Sequence, residues 1–206
     1  MNRLFLLTLF GFCLITACDK DKFEGGLLNN ASFEDSEVMA SKAPDGWIDC
    51  GVPSESPPDV FGSGPGNPFD VTNVAQEGDK YLGMVVRDNG TRECLMQNFD
   101  AGSKKGDFKI ELVVGRSDTY SSVSQTTGLE ADFNNPVILE IYGLVENGPD
   151  ELLYVSEANE STEWVTLIEE VTVNQKINGI KITPNYIGEE YYNGNILIDV
   201  FIFSKL

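Results

Sequence analysis

Ile196-Leu197-Ile198-Asp199-Val200-Phe201-Ile202-Phe203 is apolar at seven of its eight positions. A short apolar run without alternation reads as a central strand buried on both faces. Asp199 is the exception, a charge set where burial without a partner is costly. Working outward, Lys109-Ile110-Glu111-Leu112-Val113-Val114 first alternates and then turns continuously apolar, as a strand passing into a core does. Short runs rich in β-branched, aromatic and aliphatic residues cover 81–87, 108–116, 137–145, 152–156, 164–173, 179–184 and 195–203, divided by Gly, Pro, Asn and Asp. Seven or more strands at this spacing indicate an all-β chain folded as a β-sandwich. Residues 52–68, rich in Pro, Gly and Ser, read as a loop or a series of turns, and a second loop is expected over 117–135. No helical period, heptad or internal repeat interrupts the pattern.

At the amino terminus, Met1-Asn2-Arg3 precedes an apolar run from Leu4 to Ile15, followed by Thr16-Ala17-Cys18 and polar residues. A basic start, a short apolar stretch and small residues form the layout of a secretory signal. The run falls short of the roughly 20 residues that span a bilayer as a helix. Leu14-Ile15-Thr16-Ala17-Cys18 resembles the bacterial lipobox, which implies that residues 1–17 are a signal peptide and that Cys18 carries acyl chains such as palmitate. Residues 18–26 are then the lipidated cysteine and its tether, and 27–206 the folded domain. Several acyl chains hold a soluble domain at a bilayer almost permanently. Asp19 resembles an inner-membrane retention signal of enterobacteria, whereas Lys20-Asp21-Lys22 resembles the charged tether of surface-exported lipoproteins. The expected location is the outer membrane, with the cell surface as an extension of that reading.

Without residues 1–17 the chain has 189 residues, enough for one domain with a full core. It then carries 13 basic against 33 acidic residues, a net charge of −20, which excludes the positive footprint that nucleic-acid binding needs. There is no histidine, which removes Ser-His-Asp and Cys-His catalysis and histidine-bearing zinc sites. Cys50 and Cys94, 44 residues apart, are able to form a disulfide in an oxidising compartment, but spacing alone does not show that their Cα atoms meet.

Leu27-Leu28-Asn29-Asn30-Ala31-Ser32-Phe33-Glu34, Pro44-Asp45-Gly46-Trp47, Glu77-Gly78-Asp79-Lys80-Tyr81-Leu82-Gly83 and Gly194-Asn195-Ile196-Leu197-Ile198-Asp199-Val200 occur in that order. Together they resemble the galactose-binding-like jelly rolls used as carbohydrate-binding modules. Residues 51–60 and 81–89 resemble a subgroup associated with envelope proteins of gliding and related Gram-negative bacteria. The resemblance implies a structural calcium ion tying the first strand to the last, with Glu34 and Asp199 as ligands and Asp79 beside them. The other reading of Asp199 pairs it with a backbone amide, a tyrosine hydroxyl or Lys80. The resemblance also implies a core position for Trp47.

For a ligand, the polar residues expected to converge are Asp59, Arg87, Asp88, Asn89, Glu93 and Arg116, with Tyr120 and Tyr192 as ring surfaces, since sugars take planar hydrogen-bonding groups and an aromatic face. Arg87 ends an apolar strand and presents a forked donor, able either to grip a hydroxyl pair or carboxylate or to pair with Asp88 or Glu93. Trp164 is expected in the core. No pair of carboxylates at a fixed separation, and no nucleophile beside a base, stands out. The expected function is a non-catalytic envelope lipoprotein presenting a carbohydrate-binding jelly roll. The alternative is an envelope protein-interaction or structural module, and a glycan hydrolase or lyase ranks below both.

Overall fold

The computed structural model describes residues 26–100, 102 and 104–206. The expected signal peptide, Cys18 and the expected tether before Gly26 lie outside the described residues. Among the described residues eleven strands form: β1 (Ile48–Asp49), β2 (Asp59–Gly62), β3 (Lys80–Val86), β4 (Leu95–Asn98), β5 (Lys104–Gly115), β6 (Ser121–Val123), β7 (Glu130–Asp132), β8 (Ile138–Val145), β9 (Glu151–Val155), β10 (Val165–Asn185) and β11 (Gly194–Lys205). All of them pair antiparallel, in a nine-stranded sheet ordered β1-β4-β10-β5-β11-β3-β2, with β8 and β9 added beside β10, and a separate β6–β7 hairpin.

β10 is the strand on which the architecture turns. Its first part pairs with β5, from Val165 opposite Val114 to Val173 opposite Gly106. After an irregularity between Val173 and Ile177, its second part takes β4 on one edge and β8 on the other. The sheet thereby curls into two facing layers, and the chain is an all-β jelly-roll sandwich. Between the layers lie Leu82 and Met84 of β3, Ile110 and Leu112 of β5, Leu139 and Ile141 of β8, and Ile180 and Ile182 of β10. Each such burial stabilises by roughly 1.5–3 kcal/mol, so a one-residue slip, which turns a strand's inward set outward, forfeits several at once.

β11 is buried on both faces, as its composition requires. Ile196, Ile198, Phe201 and Phe203 enter the main core, while Leu197 joins a second cluster with Phe61, Val71, Tyr81, Val85, Tyr120 and Phe133. The inward positions change phase because the pairing with β5 slips between Ile198 and Val200. Asp199 is the extra residue of that bulge, which is how one charge fits inside an apolar strand. The opening segment runs against the same strand: the Leu27 N–H donates to the Phe203 carbonyl and the Phe201 N–H to the Ala31 carbonyl, both at 2.8 Å. Trp47 is buried against Phe201 and Phe33, with ring centroids 6.0 and 5.9 Å away.

Four expectations need correction. Residues 52–68 are not all loop, because β2 runs through them and pairs with β3. There Gly83 allows close packing, since a Cβ at that position would lie 2.2 Å from Phe61 Cε2. The 117–135 loop contains the β6–β7 hairpin, and its Tyr120 and Phe133 roof the second cluster. Runs 164–173 and 179–184 form one strand, interrupted by a bulge rather than a turn. Trp164 precedes that strand and is only half-buried, its indole N–H donating to the Val74 carbonyl at 2.7 Å and its ring edge-on to Tyr81.

The two cysteines among the described residues are joined. Cys50, just after β1, bonds to Cys94, just before β4, with Cα atoms 4.9 Å apart.

Candidate functional site

Four of the residues expected at a ligand site meet beneath the 52–58 loop, but they meet inside the protein. Asp59, Arg87, Glu93 and Tyr120 are each no more than 3% exposed. Arg87 directly follows β3, and its Nη2 donates to Glu93 Oε1 at 2.5 Å, to Ser56 Oγ at 2.8 Å and to the Ser56 carbonyl at 3.2 Å. Glu55 lies 3.8 Å from Arg87 Nε. Glu93 accepts the Val85 N–H at 3.0 Å, and Asp59 accepts the Ser41 N–H at 2.6 Å and the Tyr120 hydroxyl. Burial pushes the Asp59 carboxyl up to about 6, against the hydrogen bonds from Tyr120 and Ser41 and the charge of Arg87. Burial and then the Asp59 charge hold Glu93 well above the usual carboxylate range. The ion-pair reading of Arg87 describes this arrangement: the set holds a loop down and presents no free fork to solvent. Tyr120 is a core ring, edge-on to Phe61 and stacked on Phe69.

The remaining expected residues are scattered. Asp88 binds Ser124 Oγ at 2.6 Å and anchors the hairpin loop, while Asn89 reaches Glu55 at 3.3 Å. Arg116 donates to the carbonyls of Asn134 and Glu160 and shares no partner with Arg87. The Tyr192 hydroxyl is held between the Pro136 carbonyl and the Ile187 N–H. The exposed ring at that end is Tyr191, 63% exposed and packed over Gly90 beside Tyr186.

The residues expected to hold calcium lie around one loop. Glu34 Oε1 accepts the N–H groups of Asp79 and Lys80, both at 2.8 Å, and packs against Gly78, whose φ of +65° and missing Cβ admit it. Asp199 Oδ2 accepts the N–H groups of Gln76 at 2.6 Å and Glu77 at 2.8 Å, so backbone amides are its partners. Its Oδ1 is buried without a partner among the described residues. Burial, with the charges of Glu34 and Glu77, pushes Asp199 up to about 6. Asp79 itself is exposed and enters through its main chain. No group of three or more His, Cys, Asp or Glu side chains among the described residues is placed to hold a metal ion.

A groove of about 460 Å³ lies elsewhere, between residues 50–53 and the outward face of the β1-β4-β10-β8-β9 layer. The pairing places Ile48, Met96, Lys181, Tyr142 and Leu152 in one row across five strands. Lys181 Nζ sits 4.4 Å from the centre of the Tyr142 ring and pairs with Asp150. In the neighbouring row, Glu140 accepts the Tyr142 hydroxyl at 2.8 Å, Asn185 Nδ2 at 2.7 Å and Arg92 Nη1 at 3.3 Å. Burial, then the hydrogen bond to Glu140, raises the Tyr142 phenol. Thr183 completes the wall and ties it to the buried set by donating to the Glu93 carbonyl at 2.8 Å. The groove therefore combines an aromatic ring with planar donors and acceptors already fixed by one another, on a rigid sheet and beside a disulfide. Arg92, Glu140, Tyr142, Lys181 and Thr183 were not singled out from sequence, yet the signal was there. Glu140-x-Tyr142 and Lys181-x-Thr183-x-Asn185 are the polar phase of two strands whose other phase is Leu139, Ile141, Ile180 and Ile182.

No family model matches the chain, and no curated protein matches it. Among solved structures, the K2 cleaved adhesin domain of Lys-gingipain matches with a TM-score of 0.53 at 12% identity, over 84% of this chain and 96% of that one. The CBM22-1–CBM22-2 tandem domain of Paenibacillus barcinonensis Xyn10C matches with a TM-score of 0.51 at 14% identity, over 89% of this chain and 47% of that one. The enzymatically active domain of bacteriophage CBA120 tailspike protein 4 matches with a TM-score of 0.51 at 11% identity, over 88% of this chain. The match spans only 21% of the tailspike chain. At these identities the likeness is one of fold alone.

Proposed function

We propose that the chain is an envelope lipoprotein whose jelly roll binds carbohydrate in the Tyr142 groove without performing chemistry on it. The observation that carries this reading is the Tyr142 ring set among Arg92, Glu140, Lys181 and Thr183 on one rigid sheet face. A sugar ring stacks its C–H face on an aromatic ring while its hydroxyls take directional hydrogen bonds, and this groove offers both. The fold likeness to a tandem domain named as carbohydrate-binding modules supports the reading. Glu140 is engaged by three donors, which suits an acceptor that orients its neighbours better than a group that shuttles protons. A glycan array followed by calorimetry on the chain tests it. Tyr142→Ala is expected to weaken binding about tenfold or more, roughly 1.4 kcal/mol. If no saccharide binds the unaltered chain, or the variant binds as well, the reading fails.

A second reading, docking of an envelope protein, is favoured by the exposed Ile48 and Leu152 at the two ends of the same row. It predicts a partner whose capture survives Tyr142→Ala and is lost in Ile48→Asp.

A calcium ion held by Glu34 and Asp199, completed by main-chain carbonyls, is the structural part of the proposal. The orphaned Asp199 Oδ1 and the adjacent Glu34 carboxylate fit such an ion, which would neutralise their repulsion. Millimolar calcium is expected to raise the melting temperature, and Asp199→Asn to abolish the rise. An unchanged melting curve rejects the ion. Anchoring through Cys18 at the outer membrane completes the reading, and mass spectrometry showing an unmodified Cys18 would remove it.

A further inference from the structure

A second cleft, unrelated to the groove, opens between the two layers where the chain crosses from β9 to β10. It encloses about 400 Å³. Its floor is the main core itself, formed by Val114, Leu139 and Ile196, none more than 2% exposed. Tyr154, Val165 and Leu167 make its walls, and residues 156–161 arch over one side. Clefts of about 300–1,000 Å³ with apolar walls and few polar groups are the usual setting for a small ligand.

The polar groups here are specific. Ser156 is fully used: its hydroxyl donates to the Glu157 carbonyl at 2.7 Å and accepts the Leu139 N–H at 2.8 Å. Asn159 is not. Its main-chain N–H is fixed on the Val137 carbonyl at 3.0 Å, whereas its side-chain Nδ2 is buried and has no hydrogen-bond partner among the described residues. A buried amide donor without an acceptor is costly, and a ligand acceptor would relieve that cost. Around the mouth stand three exposed carboxylates, Glu157, Glu160 and Glu169, with no basic residue in the lining. These carboxylates disfavour an anion, and burial with the charges of Glu169 and Glu157 raises the Tyr154 phenol; the Arg116 guanidinium that reaches the Glu160 carbonyl also binds the Asn134 carbonyl. The cleft therefore favours a neutral ligand over a fatty-acid carboxylate or a sulfonate, and a sugar would leave its hydroxyls against Leu139, Val165 and Leu167 without partners.

We propose that this cleft binds a small uncharged apolar compound, ring-sized and bearing one ketone, ester or ether oxygen that accepts the Asn159 Nδ2–H. The site is independent of the Tyr142 groove, which lies on the outward face of one layer rather than between the two.

The probe is prodan, a neutral naphthalene ketone whose emission shifts to the blue in apolar surroundings, titrated against the full chain. The expected result is saturable blue-shifted emission. Ala158→Trp, which fills the cleft from the connecting loop without altering a strand residue, is expected to abolish it. Asn159→Ala is expected to weaken it about three- to tenfold. Anionic anilinonaphthalene sulfonate is expected to bind at least tenfold more weakly. Melting curves and saccharide binding unchanged in both variants show that fold and groove are intact. Emission that never shifts, that survives Ala158→Trp, or that the sulfonate reproduces with equal affinity overturns the proposal. If Ala158→Trp melts early, Asn159→Ala alone decides, and an undiminished affinity there rejects the site.

Discussion

Arg87 holds Glu93 and Ser56 while Asp59, buried close by, is held by Tyr120 and Ser41, so two carboxyls share the influence of one guanidinium out of contact with water. Such a set is stabilising only when every member is present, and removing one partner of a buried pair typically costs about 3–5 kcal/mol. Its pH dependence follows from the sign of the shift. The folded Asp59 carboxyl is raised from 3.8 to about 6, so folding favours its protonated form. The stability it lends is fully present below pH 4 and is lost as pH rises through 6, amounting to about 3 kcal/mol. Urea unfolding across pH 4 to 7 is expected to show this decline. Glu93 and Asp199, raised as well, decline in the same direction, so Asp59→Asn is expected to make the slope shallower without removing it, and an identical slope in the variant contradicts the assignment. From sequence, Asp59, Arg87, Glu93 and Tyr120 were legible as a group of polar residues drawn together. Their burial was not, because it depends on loop 52–58 and the β6–β7 hairpin folding over them, and neither carries a local periodicity.

At the scale of elements, β1 is two residues long and would fray from an edge if β4 alone held it. The Cys50–Cys94 bond fixes it. Closing a loop across 44 residues removes enough freedom from the unfolded chain to stabilise by about 4 kcal/mol. Replacing both cysteines with serine is expected to lower the urea midpoint accordingly. It also weakens saccharide binding, since residues 50–53 wall the groove. A variant with full stability and full binding would show the bond to be incidental. The long strands were readable because their inward positions recur every second residue, as in Lys109 to Val114 and Gly179 to Pro184. β1, β2 and β4 were not readable. They are two to four residues long, β2 is embedded among prolines and glycines, and what makes them strands is the neighbour they pair with.

For the molecule as a whole, the order of four weak motifs predicted the jelly roll because each marks a place where distant segments must meet: Phe33 and Trp47 against Phe201, and Glu34 against Gly78. The groove was hidden for the complementary reason. Arg92, Tyr142 and Lys181 come from three separated stretches: the register of β8 and β10 sets Tyr142 beside Lys181, and Glu140 draws Arg92 to them. The strand that does so, Val165–Asn185, belongs to both layers of the sandwich. A protease nick, a permuted terminus or an inserted domain anywhere along it would therefore injure both layers together. Neither layer is a module that recombination is able to exchange by itself: the two are inherited, and lost, as one piece.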